Sequence, residues 1–250
     1  MLIHSSQVLV CLGDLDRALS QRETALAEAR RLSHPHTLAA ALSFASITGG
    51  CVGADPKSLC QCADEDVTLS TEHGFAYWRA IGLISSGWCR TALGNADEGL
   101  ALLTTGFAGI VETGLMFHRP WGLTLFADAC RMAGEVEAAL GHLAEAHRLA
   151  EETQNRWVHA ETLRLRGEVL LAMDDPAAAE ASYREAIGLA LRQRAKLWEL
   201  RATMSLARLW RDQRKCTEAR DLLSAVYGSF TVGFGTPVMQ EAKTLLDKLA

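Results

Sequence analysis

Residues 127–140 read ADACRMAGEVEAAL and residues 167–180 read GEVLLAMDDPAAAE. The two stretches share a spacing: a small residue (Ala127, Gly167), seven positions later a helix breaker (Gly134, Asp174), and five positions after that another small residue (Ala139, Ala179). Outward from there the pattern recurs at Gly13, Gly53, Gly94 and Arg214, so that six anchors lie 40, 41, 40, 40 and 40 residues apart. Ser6, Ser46, Gly87 and Ala207 complete the small set before the anchors, and Ala18, Ser58, Gly99 and Ala219 the set after them. Two helices that cross closely need small side chains at the contact, so the recurrence implies one crossing repeated six times.

Between anchors the chain has helical periodicity. EVEAALGHLAEAHRLAEET (residues 135–153) spaces Val136, Leu140, Leu143 and Ala146 along one face, and Pro176 opens the next segment as a first-turn proline. Alternating β-branched runs do not occur. The spacing predicts an all-α, right-handed α-solenoid of tetratricopeptide-like helix pairs, about a dozen helices, with helix A before each anchor and helix B after it. The period exceeds that motif's usual 34 or so residues, so longer helices or loops absorb the excess. Residues 1–235 are expected to form the repeats, the first unit incomplete with only twelve residues before Gly13, and 236–250 a capping helix opened by Thr236-Pro237. The 41-residue step is assigned to unit three, where Arg90 falls on the predicted packing face, as Arg166 does in unit five.

With 49% hydrophobic and 22% charged residues the 250-residue chain is too apolar for disorder, and its net charge of −5 offers no general attraction to nucleic acid or anionic membrane. No apolar run approaches a membrane span and no basic leader precedes the first apolar residues, so a cytoplasmic protein is expected. Seven cysteines, at 11, 51, 60, 62, 89, 130 and 216, fit neither a disulfide framework nor a zinc spacing.

AKLWELRATMSLARLWRDQRKCTEARDLLSAVYGSFTVGFGTPVMQEAKTLLDKL (195–249) and RWVHAETLRLRGEVLLA (156–172) resemble the C-terminal end of large bacterial ATPases, many of which carry a class III adenylate or guanylate cyclase domain at their N-terminus. The resemblance is strong over residues 119–249 and reduces to repeat periodicity before that. It implies a tetratricopeptide-like sensor or interaction arm that follows a nucleotide-binding domain. Gly235 stands where the family usually has Asp in its Gly-Phe-Asp-Thr run, and Arg214-Lys215 replaces a Gly-containing break. No lysine follows a glycine, so the chain has no P-loop; G-x-G-x-x-G, H-E-x-x-H and G-x-S-x-G are also missing. A non-enzyme without cofactor or metal is the reading that follows.

Single residues with chemical potential have plain structural explanations. His142 and His147 diverge by 140° on a helix and read as surface residues. Cys62, nine after its anchor, reads as a core thiol rather than as one half of a redox pair with Cys60. His34-Pro35-His36 reads as a turn before a helix, and Asp64-Glu65-Asp66 as a solvated face. Trp78, Trp121, Trp157 and Trp198 recur near the starts of A helices, as plugs between units or as ligand-stacking rings.

The informative surface is the stripe 13, 10, 6 and 3 residues before each anchor, which lines the inner curve of such arrays. It reads Trp121, Thr124, Asp128, Arg131 in unit four, Glu161, Arg164, Glu168, Leu171 in unit five and Arg201, Met204, Arg208, Arg211 in unit six. Residues 194–215 hold seven basic residues against Glu199 and Asp212. Asp128, Arg131, Glu161, Arg164, Glu168, Arg201 and Arg208 are therefore the candidate concave-face binding residues, with unit six, short of acids in sequence reach, the anion-facing end. A protein or peptide partner, an acidic segment or a small anionic effector, fits that stripe, and a solvated helix face explains it equally. A small-molecule or enzymatic solenoid with a pocket at a repeat junction stays open. So does self-association through the apolar edge of unit one.

Overall fold

The structure, a computed structural model, describes residues 2–250. Twelve turns join thirteen helices, and each turn holds one residue at positive φ. All six anchors are among them: Gly13, Gly53, Gly94, Gly134, Asp174 and Arg214. The other six are Ser33, Gly74, Gly114, Gln154, Arg194 and Gly233, so a left-handed residue follows almost every twentieth position. A left-handed residue just past a helix lets the last carbonyls find N–H partners, and glycine adopts that conformation without a Cβ clash. Asp175, for instance, then caps the next helix by accepting from the Ala178 N–H at 2.9 Å. All five prolines stand in the first two positions of a helix.

The A helices are α1 (Leu2–Leu12), α3 (Pro35–Cys51), α5 (Ala76–Ala92), α7 (Arg119–Ala133), α9 (His159–Ala172) and α11 (Lys196–Asp212). The B helices are α2 (Leu15–Leu32), α4 (Pro56–Glu72), α6 (Ala96–Glu112), α8 (Val136–Thr153), α10 (Pro176–Gln193) and α12 (Cys216–Gly228); α13 spans Pro237–Lys248 and packs on α11 and α12. Helices of up to 18 residues, rather than long loops, account for the extended period. The small residues before the anchors are all buried. Their use is clearest at α5 and α6, where a Cβ on Gly87 would lie 2.6 Å from the Gly99 carbonyl.

Each A helix packs on the next, and α11 packs back on α1, so the A helices close an inner ring with the B helices outside it. Closure is reinforced by contacts remote in sequence. The Val238 N–H donates to the Val52 carbonyl at 3.2 Å, and the Gly233 N–H to the Asp16 carboxylate at 2.9 Å. The edge of unit one is thus largely covered from within the chain, although Leu2, Val8 and Leu12 stay exposed. No helix among the described residues is long and apolar enough to cross a membrane.

Unit two departs from the sequence-based register. Its turn carries one residue more than the others, because the cap Asp55 stands two positions after Gly53, where Asp14, Asn95, Glu135, Asp175 and Lys215 directly follow their anchors. The extra residue of the 41-residue step belongs to this turn and not to unit three. Ser58 is consequently exposed and Leu59 takes its buried place; Ala63, not Cys62, sits in the core, with Cys62 half-buried. Asp66 is fully buried, accepting from Ser43 Oγ at 2.5 Å and Ser70 Oγ at 3.0 Å, so only part of the acidic run is solvated. Arg90 ion-pairs with Asp64 and Glu98, both at 3.1 Å, and Arg166 points outward.

Candidate functional site

The inner stripes of α3, α5, α7, α9 and α11 converge on a cavity of about 70 Å³ at the centre of the ring. Trp88, Trp121 and Trp198 wall it with Ile47, Leu125 and Val158, and Asp128, Glu161 and Arg201 reach its edge. A second, more polar pocket of about 220 Å³ adjoins it, sharing Gly50, Trp88 and Arg201 and adding Arg164, Ser205, Arg208 and Glu241.

Stripe residues meet neighbours on adjacent A helices, and the equivalent positions Glu161 and Arg201 touch directly. Thr124 Oγ1 of α7 is 2.8 Å from Thr162 Oγ1 of α9. Glu161 accepts from Arg164 at 2.7 and 2.9 Å and pairs with Arg201 of the next unit at 2.9 Å. Arg164 also reaches Glu168 at 2.9 Å and Ser205 Oγ at 3.2 Å, and Ser205 donates to Glu168 at 2.6 Å. Four of the seven stripe residues therefore form one network. Asp128 stands in a second, accepting from Trp88 Nε1 at 2.8 Å and from Arg131 through two nitrogens at 2.8 and 3.0 Å. Arg208 pairs with Glu241 of α13 at 2.6 Å.

Unit six is not short of acids. Its acids come from other units and from α13: Glu161 serves Arg201, Glu241 serves Arg208, and Arg211 pairs with its neighbour Asp212 at 2.8 Å. Contacts between neighbouring helices, α9 with α11 and α13 with α11, supply the first two, which is why local sequence spacing concealed them. Burial opposes ionisation of Glu161, but Arg164 and Arg201 overcome it and hold the carboxyl below its usual value. Arg164 is likewise buried, and Glu161 and Glu168 nevertheless raise its pKa. A buried pair of this kind is held by geometry: removing one member would strand the other charge.

Burial disfavours the thiolate form of the cysteines near the ring. Burial pushes the Cys11 thiol up to about 11 and Cys89 up to about 12, far from nucleophilic values. No group of three or more metal-ligating side chains is found among the described residues. His147 is exposed, with Nδ1 2.8 Å from His159 Nε2, whereas His142 is half-buried, stacked on Phe126 at 4.2 Å. His34 caps α3, accepting from the Thr37 N–H at 3.3 Å. The tryptophans at A-helix starts do pack between units: Trp198 Nε1 donates to the Trp157 carbonyl at 2.7 Å and Trp78 Nε1 to His36 at 3.1 Å. Trp121 and Trp198 also face the cavity. Trp88, Ile47 and Gly50 were within reach of the stripe rule, since they lie six, six and three residues before their anchors in units three and two.

These features define a tetratricopeptide-like α-solenoid with a closed inner ring, and solved structures share its fold. It is similar to the apo form of RapI, with a TM-score of 0.66 at 10% identity over 99% of this chain and 83% of that one. A Rap protein complexed with Competence and Sporulation Factor gives 0.66 at 12% identity, over 99% and 73%. A signal-transduction ATPase with numerous domains and a tetratricopeptide repeat sensor, from Pyrococcus horikoshii, gives 0.54 at 13% identity, over 98% of this chain and 38% of that one. No family model and no curated protein matches the sequence.

Proposed function

We propose that the chain is a non-catalytic regulatory module that takes a protein segment or effector on the inner face of its ring. It would serve as the sensor arm of a multidomain signalling ATPase or nucleotide cyclase in the cytoplasm, behind a nucleotide-binding domain. The observation that carries this reading is the convergence of charged stripes from three successive A helices around the mouth of a central cavity. The resemblance over residues 119–249 supports the arm, as does the fold shared with a repeat sensor of a signal-transduction ATPase. That a structural neighbour is complexed with a Competence and Sporulation Factor supports a ligand on such a ring.

Within the stripe the roles divide by exposure. Glu161 and Arg164 are too buried to touch a macromolecule and position their neighbours. Asp128, Arg131 and Arg208, with Glu168 and Arg201 beside them, form the contact set. An acidic segment would displace Glu241, which already pairs with Arg208 as such a segment would.

A random peptide library selected on the immobilised chain tests this. Binders should lose capture with Arg208→Glu or Arg131→Glu and keep it with Arg184→Ala, a change to an exposed residue of a B helix. Binders indifferent to both inner-face changes would overturn the reading.

A further inference from the structure

The central cavity is lined by groups that select for a neutral ligand. Every ionised side chain at its edge is already paired: Asp128 with Trp88 and Arg131, Glu161 with Arg164 and Arg201, and Arg201 also with the Cys51 carbonyl at 3.2 Å. A charged ligand would shed its hydration and find no free counter-charge. The uncommitted polar groups are hydroxyls. Ser85 lines the cavity, is more than nine-tenths buried, and its Oγ has no hydrogen-bond partner. Some helical hydroxyls of the ring donate to the carbonyl four residues back, as Thr91 does to Gly87 and Thr124 to Pro120, and others to carboxylates, as Ser86 does to Asp64 and Ser205 to Glu168. Ser85 makes no such bond. Ser46, equally buried at the same cavity, has no oxygen or nitrogen partner and lies beside only the weakly bonding Cys62 thiol. Native structures pair most buried hydroxyls with protein, ordered water or a bound group, and these two differ from the unpaired Tyr183 and Thr203 hydroxyls in lining a cavity with room for one.

The walls give the rest of the chemistry. Trp88, Trp121 and Trp198 present aromatic surface, and the cavity of about 70 Å³, together with the adjoining pocket of about 220 Å³ with which it shares Gly50 and Trp88, leaves room for one small ring system, not for a peptide backbone with its row of polar groups. We propose that the cavity binds an uncharged, flat, ring-bearing small molecule with one hydrogen-bonding atom, seated among the indoles and bonded to Ser85. The proposal rests on the inner face being the sensing surface and names its effector class. Such a ligand would touch α3, α5, α7, α9 and α11 together, and so would favour the closed ring over any opened one.

Calorimetry and ligand-observed NMR on the full chain, with indole, 1-methylindole and indole-3-acetate as probes, test it. Indole should bind at about 1 mM or tighter, and indole-3-acetate at least about tenfold more weakly. Ser85→Ala should weaken indole about fivefold and leave 1-methylindole, which has no N–H, within about twofold. Removing an unpaired hydroxyl does not endanger the fold. Gly50→Leu, at a rim position with nothing within 4 Å of an added Cβ, should abolish both without lowering the melting temperature, since leucine is the better helix former. No binding of indole at millimolar concentration, equal binding of indole-3-acetate, or equal loss of both neutral probes on Ser85→Ala would overturn the proposal. If indole fails while peptide capture still depends on Arg208, the interaction reading stands and the small ligand falls. If indole binds as described while peptide capture ignores the inner face, the interaction reading falls and the cavity keeps its ligand.

Discussion

The guanidinium of Arg201 lies 3.2 Å from the carbonyl oxygen of Cys51, a residue 150 positions earlier in the chain. Cys51 is the last residue of α3, whose final carbonyls have no partner within the helix. Arg201 satisfies one of them and with its other nitrogen holds Glu161, so a single side chain ties units two, five and six together.

Arg201→Ala should therefore cost about 2 kcal/mol, more than a surface ion pair, because it leaves both a carbonyl and part of a buried carboxylate unpaired. Arg211→Ala, which removes only an exposed pair with Asp212, should stay within about 0.5 kcal/mol. Urea midpoints measure both, and amide exchange at the end of α3 should quicken in the first variant alone. Equal effects of the two substitutions would mean that Arg201 does not close the ring.

Gly167 meets the ring of Tyr183 across the α9–α10 crossing, where an added Cβ would lie 2.4 Å from the nearest ring atom. Tyr183 is fully buried and cannot swing away cheaply. Gly167→Ala should destabilise by about 1–3 kcal/mol through overpacking, even though alanine favours helix. Gly50→Ala, with open space at its Cβ, should stabilise by about 0.5–1 kcal/mol. Thermal melts of the two variants should move in opposite directions.

Asp174 and Arg214 hold φ of 61° and 65° at turns where four other units place glycine. Glycine relieves the Cβ strain of that conformation but frees the unfolded chain, so the net gain should be modest. Arg214→Gly should stabilise by about 0.5–1 kcal/mol, and Asp174→Gly by less, since aspartate tolerates left-handed backbone better. A loss at both positions would show that the side chains contribute contacts that outweigh the strain.

The periodicity was legible because each turn demands a left-handed residue and each crossing a small one, requirements that act locally and leave a mark every 40 residues. Two things escaped it. The one-residue extension at Ala54 shifts every following position of α4, so Ser58, Cys62 and Asp66 exchange roles with their neighbours; the only local mark of the shift is Asp55-Pro56, which starts the helix two residues after Gly53 where Asp175-Pro176 starts its helix directly after Asp174. Ring closure depends on curvature accumulated over six units, which brings Arg201 to Cys51. Pairs within one helix, Asp128 with Arg131 and Arg164 with Glu161 and Glu168, follow from i,i+3 and i,i+4 spacing; the pairs of Arg201 with Glu161 and of Arg208 with Glu241 do not, because their partners sit on other helices.

Asp66 gives the protein a pH dependence of unusual sign. Burial is the dominant influence and pushes its pKa up, the Ser43 and Ser70 hydroxyls pull it partly back, and Glu65 adds a small upward push, leaving it at about 7. In the unfolded chain the group titrates near the ordinary value of about 3.9. Between about pH 4 and 7 the native state thus keeps a proton that the unfolded state has released, and stability falls as pH rises through that window, the loss being complete above 7. Three pH units at about 1.4 kcal/mol each set a ceiling of about 4 kcal/mol. Asp66→Asn replaces the carboxyl by a neutral group of the same shape, whose oxygen can accept from one serine while its N–H donates to the other. The variant should gain about 1–3 kcal/mol over the native protein at pH 8, about a third of that at pH 5, and nothing below about pH 4. Urea midpoints of the two proteins, followed from pH 4 to 8.5, should diverge up to about pH 7 and hold a constant gap above it; curves parallel throughout would mean that Asp66 titrates alike in the folded and unfolded states and that its burial between α3 and α4 is incomplete.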